Sequence, residues 1–388
     1  VTMERRGSLR RWTMAGAAMM LLGFTGCSGF FPPINNSGGG TGATGNQVYV
    51  LNQTTKSVSG FVVGTGTLTA VNSSPVALAI SPFAEVVSPN DAFLYIAGQG
   101  SISLYLINAN GSLSAPSGGA VQVAVTANSL AVSPDGQWLI ALDSFTQQLD
   151  LFEINATTGA LTAAAESPAA YSLHSGAGTW QPSMVRVSPD GTLIFAALGT
   201  AGDVVFTFNT TTGAAVQSQS LANVNASTGD YGLAVDPKTA YLYIARSGTS
   251  GGVGVYSIGS GGALNAVTGS PFAAGSGTFS VVLDSTGTYV YAANRTDGTI
   301  SGYTIAAGTT PAALSLTPLS GSPYKSGTSV QSLGIDRTGK YLLGASQGGG
   351  PDLTMYSFDI TTPGKLDPAT SIATDADPAG AIAIALTH

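Results

Sequence analysis

Residues 130–154 read LAVSPDGQWLIALDSFTQQLDLFEI. An apolar triplet, Leu130–Val132, runs into Ser-Pro-Asp-Gly. Proline presets one backbone angle of a tight turn, and Asp and Gly suit the positions that follow it. The run Trp138–Leu142 then ends at Asp143, and a polar loop separates it from LDLFEI, where apolar and polar residues alternate with period two. This is a strand, a turn, a strand, a loop and a strand. VRVSPDGTLIFAALGTAGDVVFTFNTTTGAAV from Val185 and VVLDSTGTYVYAANRTDGTISGYTI from Val281 repeat it.

The aromatic residue of the third strand counts the copies. It falls at Phe61, Tyr105, Phe152, Phe206, Tyr256, Tyr303 and Tyr356, at spacings of 44, 47, 54, 50, 47 and 53 residues. A unit of that length with four strands cannot bury two sheet faces alone, so neighbouring units must cover each other. The expected fold is all-β: a seven-bladed β-propeller of four-stranded antiparallel blades. The first copy starts directly with a second-type strand, QVYVLN from Gln47, and lacks its innermost strand. Ala381–Leu386 (AIAIAL) is an innermost strand with nothing after it. The C-terminal strand is therefore expected to complete the first blade and close the ring, leaving no edge to template aggregation.

Asp135, Asp190, Asp236, Asp284 and Asp336 recur in the turns between first and second strands. A ring of metal-binding carboxylates is one reading, but a single Asp per repeat with no second ligand at fixed spacing favours turn capping. No metal and no cofactor are expected.

Ahead of the ring lies a different segment. Arg5, Arg6, Arg10 and Arg11 precede the apolar run Met14–Phe24, and small residues lead to Cys27, the one cysteine in 388 residues. A basic head, a short apolar body and small residues are the parts of a secretory signal, and eleven apolar residues are too few to span a bilayer. Residues 1–26 are expected to be the signal and 27–45 a Gly/Ser/Thr-rich tether leading to the propeller at 46–388. GxGxxG at Gly40–Gly45 has no strand before it or helix after it, so it reads as tether. The 13 Lys+Arg fall to nine without the four signal arginines, and the 20 Asp+Glu fall to nineteen without Glu4. The net charge thus moves from −7 to −10, which argues against nucleic acid and against electrostatic binding to anionic lipid.

Two resemblances follow. Phe24-Thr25-Gly26-Cys27 resembles the lipobox of bacterial lipoproteins, with Phe24 where that family usually has Leu. It implies lipidation of Cys27, membrane attachment through that anchor, and an extracytoplasmic lipoprotein, periplasmic or at the outer membrane. Tyr49-Val50-Leu51-Asn52 and Tyr291-Ala292-Ala293-Asn294 are similar to the YVTN repeat. Together with the Ser-Pro-Asp-Gly turns, AANRTDGTISGY and the C-terminal strand, they make residues 46–388 resemble the lactonase family. Those are seven-bladed propellers similar to bacterial 6-phosphogluconolactonase and to fungal muconate-cyclising enzymes.

Propeller ligands usually sit at the mouth of the central channel, lined by the entries to the innermost strands. The lactonase family tends to place His and Arg there. Here the pairs are Phe83/Ala84, Asn128/Ser129, Ser183/Met184, Tyr231/Gly232, Phe279/Ser280 and Gln331/Ser332. Two charges break the innermost-strand pattern: Glu85 where other repeats are apolar, and Arg186 where they have small residues. A lactone needs a base for water and a donor for the oxyanion; Glu85 and Arg186 are the catalytic candidates, against a bland reading as snorkelling or internally paired charges. Ligand-binding candidates are Asn128, Tyr231, Arg295 and Gln331, with His174 and Trp180 from the loop YSLHSGAGTWQPS. Arg246 and Asp143 follow second strands and are further rim candidates. Gly344–Gly348 matches GxSxG but a strand follows where the hydrolase elbow needs a helix.

Two functions remain open. Few acid–base groups and many polar loops favour a monomeric, lipid-anchored binding or scaffold module for a carbohydrate, peptide or envelope protein. The alternative, from the resemblance, is a 6-phosphogluconolactonase-like sugar-lactone hydrolase using channel-mouth residues, with a phosphorylated substrate disfavoured by the few cations and by the compartment.

Overall fold

The computed structural model describes residues 42–164, 171–172, 180–223 and 225–388, the side chains of 171, 172 and 180 excepted. Cys27 and His174 lie outside the described residues. Seven antiparallel blades follow one another around an axis, and every third-strand aromatic named above falls in a third strand. The innermost strands are Pro82–Val87, Ala127–Val132, Trp180–Val187, Thr228–Val235, Thr278–Leu283, Val330–Ile335 and Ala381–Leu386.

The ring closes as the incomplete first repeat requires. Ala381–Leu386 pairs antiparallel with Gln47–Asn52, Tyr49 opposite Ala385 and Leu51 opposite Ala383. Beyond it the Gln47 amide donates to Thr387 Oγ1 at 2.9 Å, and the His388 amide to Asp91 Oδ1 at 2.8 Å. The end of the stretch assigned to the tether also packs: Ala43 is buried, and its amide donates to the Asp91 carbonyl at 3.1 Å.

Each pair of neighbouring blades encloses one apolar cluster among the described residues, seven in all. Burial of both sheet faces is the driving force, and side chains then fix the spacing. The ring at the start of a second strand reaches to the next blade. Tyr49, Tyr95 and Tyr291 donate their hydroxyls to the carbonyls of Gly111, Gly159 and Gly364, at 2.8, 2.8 and 2.6 Å. Trp138 Nε1 does the same to Thr210 at 2.6 Å. These second-strand rings are interblade staples. The ring that opens the strand demands glycine opposite: at Gly213, which has φ +73°, a Cβ would stand 2.4 Å from the Trp138 ring.

The turn aspartates cap. Asp236, Asp284 and Asp336 each accept two backbone N–H groups through Oδ1 at 2.5–2.9 Å, while Asp135 and Asp190 each accept one at 3.1 Å. No group of three or more metal-ligating side chains occurs among the described residues.

Candidate functional site

Every innermost strand loses register at its entry. The shifts fall between Pro82 and Ala84, Ala127 and Ser129, Trp180 and Met184, Asp230 and Gly232, Thr278 and Ser280, and Val330 and Ser332, and at the partner of Asn52 in the C-terminal strand. A bulge leaves a residue unpaired and re-aims its side chain. The bulged residues Phe83, Asn128, Ser183, Tyr231, Phe279, Gln331 and Ile382 all line one cavity of about 790 Å³. The second residue of each pair packs toward the neighbouring blade, although Ala84, Ser129, Met184 and Ser332 also touch the cavity. Ser129, Ser280 and Ser332 accept from the amides of Val185, Leu333 and Ile384 in the next blade, at 3.0, 3.2 and 3.4 Å. Gly232 lets blades five and six converge, since a Cβ there would meet the Phe279 carbonyl oxygen at 2.7 Å.

The mouth is lined by rings and amides. Tyr231 and Phe279 stack with centroids 5.2 Å apart, and the exposed Arg295 guanidinium lies over Phe279 at 4.4 Å. Gln331 Nε2 donates to Gln347 Oε1 at 2.8 Å, and Gln347 Nε2 lies 3.5 Å from Gln53 Oε1. Asn128 Nδ2 donates to the Pro182 carbonyl at 3.3 Å. Gln53 and Gln347 were not anticipated; both follow a second strand, which is the signal that would have found them.

Glu85 and Arg186 both line the channel deeper in. Both line the mouth cavity and also a second cavity of about 690 Å³ that opens at the opposite end of the axis. They mark the waist of one axial channel. Glu85 is 9% exposed, and neither carboxylate oxygen has a hydrogen-bond partner among the described residues. Burial raises its pKa well above the carboxylate range; the amides of Leu51 and Ala385 approach without hydrogen-bond geometry and oppose the shift more weakly. Arg186 bonds its own chain, Nη1 to the Val185 carbonyl at 3.2 Å, and has no carboxylate within ion-pair distance among the described residues. Burial lowers its pKa. The reading of Glu85 and Arg186 as internally paired charges is not what the structure shows.

Other candidates are elsewhere. Trp180 begins an innermost strand and does not sit in a loop. Asp143 is buried and caps its turn, accepting from the amides of Phe145 and Thr146 at 2.7 and 3.1 Å. Arg246, expected at the rim, is 3% exposed and holds Asp230 in a two-pronged ion pair of 2.6 and 2.7 Å, with Tyr256 Oη at 3.2 Å. Arg246 lies inside the second strand Tyr241–Gly248 and not after it, directly opposite Asp230 of the innermost strand, which takes its side chain.

Asp203 joins this buried group. Burial, the Asp230 charge and a hydrogen bond with Asp230 raise its pKa well above the ordinary value, with Arg246 opposing. A carboxyl with a raised folded pKa binds more protons folded than unfolded. Stability therefore falls as pH climbs from about 4, the unfolded value, toward the raised one. Asp203→Asn keeps a donor to Asp230 and removes that loss. Its melting temperature should exceed the parent's at about pH 8 and the gap should close toward about pH 4. A gap independent of pH would contradict the buried, protonated Asp203.

A family model described as "Lactonase, 7-bladed beta-propeller" matches residues 42–175 and 175–376. The chain belongs to the lactonase family. Among solved structures it is similar to a putative 6-phosphogluconolactonase from Bacteroides uniformis, with TM-score 0.70 and 18% identity over 88% of this chain and 99% of that one. It is also similar to the periplasmic gluconolactonase of Pseudomonas aeruginosa, with TM-score 0.65 and 16% identity over 88% and 99%. At those identities the likeness speaks for the fold. No curated protein matches the chain.

Proposed function

We propose that this lactonase-family propeller hydrolyses an unphosphorylated sugar lactone in its axial channel. The observation that carries the proposal is one channel lined by a buried Glu85 carboxyl with no hydrogen-bond partner among the described residues and by an Arg186 guanidinium with no carboxylate in ion-pair reach there. Burying a carboxyl without a partner is costly, and strain of this kind is commonly retained where a site uses it. Ring opening adds water to the lactone carbonyl and breaks the bond from that carbon to the ring oxygen. Arg186 is suited to the negative charge that develops on the carbonyl oxygen. Glu85, with its pKa raised, takes a proton from water as carboxylate and returns one to the departing ring oxygen as acid.

The mouth argues for a neutral substrate. Its ionisable lining residues are Glu85, Arg186 and Tyr231, and Arg246 is committed to Asp230. A phosphoryl dianion inside the cavity would find one guanidinium and a carboxyl, with the exposed Arg295 over Phe279 as the further cation at the rim.

Purified protein should open aldonolactones well above the spontaneous rate, and Arg186→Met should lower kcat/KM by about 10²–10³-fold, the usual cost of one oxyanion donor. Well-folded protein that turns over neither phosphorylated nor unphosphorylated lactones would sink this reading. A second reading, a tethered binding module, would then stand on the absence of His and Arg at the strand entries.

An extracytoplasmic place, lipid-anchored at Cys27, suits either reading. The chain enters the ring beside Asp91, in the turn after the innermost strand Pro82–Val87. That turn is at the end opposite the mouth, so a tether leaving there would point the mouth away from the membrane.

A further inference from the structure

The mouth has one ring that packing does not explain. Phe145 is 85% exposed, yet it lines the same cavity as the bulged residues. A single exposed apolar side chain needs no explanation by itself; its place in the repeat does. The residue two beyond the end position of the second strand is Thr54 after Asn52, Thr296 after Asn294 and Gly348 after Ser346. After Asp143 it is Phe145. The turn beneath it is braced. Asp143 Oδ1 accepts from Phe145 and Thr146, Ser144 donates its amide and its hydroxyl to the Thr126 carbonyl at 3.0 and 3.1 Å, and Gln147 sits at φ +60°. A fixed turn thus holds an aromatic ring out in water at the rim.

Exposure tracks depth. Glu85 is nearly sealed at the waist, Phe83, Tyr231 and Phe279 are half-buried at the bulges, and Phe145 is open. The cavity lies in the upper part of the roughly 300–1,000 Å³ range of ligand pockets, more than one six-membered sugar ring fills. The negative face of an aromatic ring attracts partly positive edges, and the axial C–H face of a pyranose supplies them. The amides of Gln53, Gln331 and Asn128 supply partners for hydroxyl groups.

We infer that Phe145 is an outer subsite that stacks a second, neutral sugar ring, so the preferred ligand is a disaccharide-sized aldonolactone. This rests on the proposed lactonase reading for turnover, though not for binding. The test compares cellobiono-δ-lactone with glucono-δ-lactone as substrates, and cellobiose with glucose by calorimetry, in the parent, Phe145→Ala and Phe145→Trp. The two-ring compound should be preferred, Phe145→Ala should cut that preference about tenfold, and Phe145→Trp should keep it. If neither lactone is hydrolysed but cellobiose binds with this dependence on residue 145, the subsite stands and the lactonase reading fails. Equal preference for one and two rings, or an unchanged ratio in Phe145→Ala, overturns the subsite.

Discussion

Removing residues 380–388 should yield no soluble monomer. The lost strand is the innermost strand of the first blade, and Val48, Tyr49, Val50 and Leu51, which it pairs with and helps cover, are fully buried in the closed ring. Each such side chain returned to water costs about 1.5–3 kcal/mol, against a total stability of about 5–15 kcal/mol for a domain. The truncation also exposes the ladder edge of Gln47–Asn52 as a template for another chain. It further removes the strand that packs between the innermost strands of blades seven and two. Size-exclusion chromatography and a thermal melt are the readouts: oligomer or precipitate and no cooperative transition. Adding the peptide AIAIALTH during refolding should restore part of the monomer. A monomer that melts cooperatively without the strand or the peptide would mean the ring does not depend on this closure.

The architecture was legible because its information is periodic. Seven aromatic positions, turn residues at fixed offsets, one strand missing from the first repeat and one left over at the C-terminus determine blade count and closure without any long-range contact being known. The division of labour at the strand entries was not legible. Phe83 and Ala84 are adjacent and both touch the mouth, but only the bulge between Pro82 and Ala84 leaves Phe83 half-exposed there while Ala84 is buried in the blade contact. Such a shift depends on the register of two strands, which a local reading does not hold. The same limit hid Arg246. Its partner Asp230 lies 16 residues away and faces it through pairing of the innermost strand of blade five, Thr228–Val235, with the second strand of the same blade. By contrast Glu85 and Arg186 were visible as departures from six other copies, and Phe145 carried the same kind of signal. Repeat proteins supply their own comparison set, so a residue that breaks the repeat marks itself.

Glu85 offers the sharpest separation of stability from activity. Its place in the other innermost strands is held by Leu130, Val185, Leu233, Val281, Leu333 and Ile384. The side chain is buried with both oxygens unpartnered among the described residues. Glu85→Leu restores the repeat and removes a polar burial penalty of about 1–3 kcal/mol, so it should melt higher than the parent. Because the folded pKa is raised, the gain should be larger above the unfolded carboxylate value, about 4.3, and shrink below it. The same substitution removes the proposed acid–base group and should lower kcat by about 10²–10⁴-fold. Glu85→Gln keeps shape and hydrogen bonding while losing the titrating proton, and should be as inactive as the leucine variant. A protein that becomes more stable and loses turnover together holds Glu85 at the expense of its own fold. A Glu85→Leu variant that is more stable with full turnover would make the carboxyl an unused departure from the repeat and move the search for the base elsewhere in the mouth.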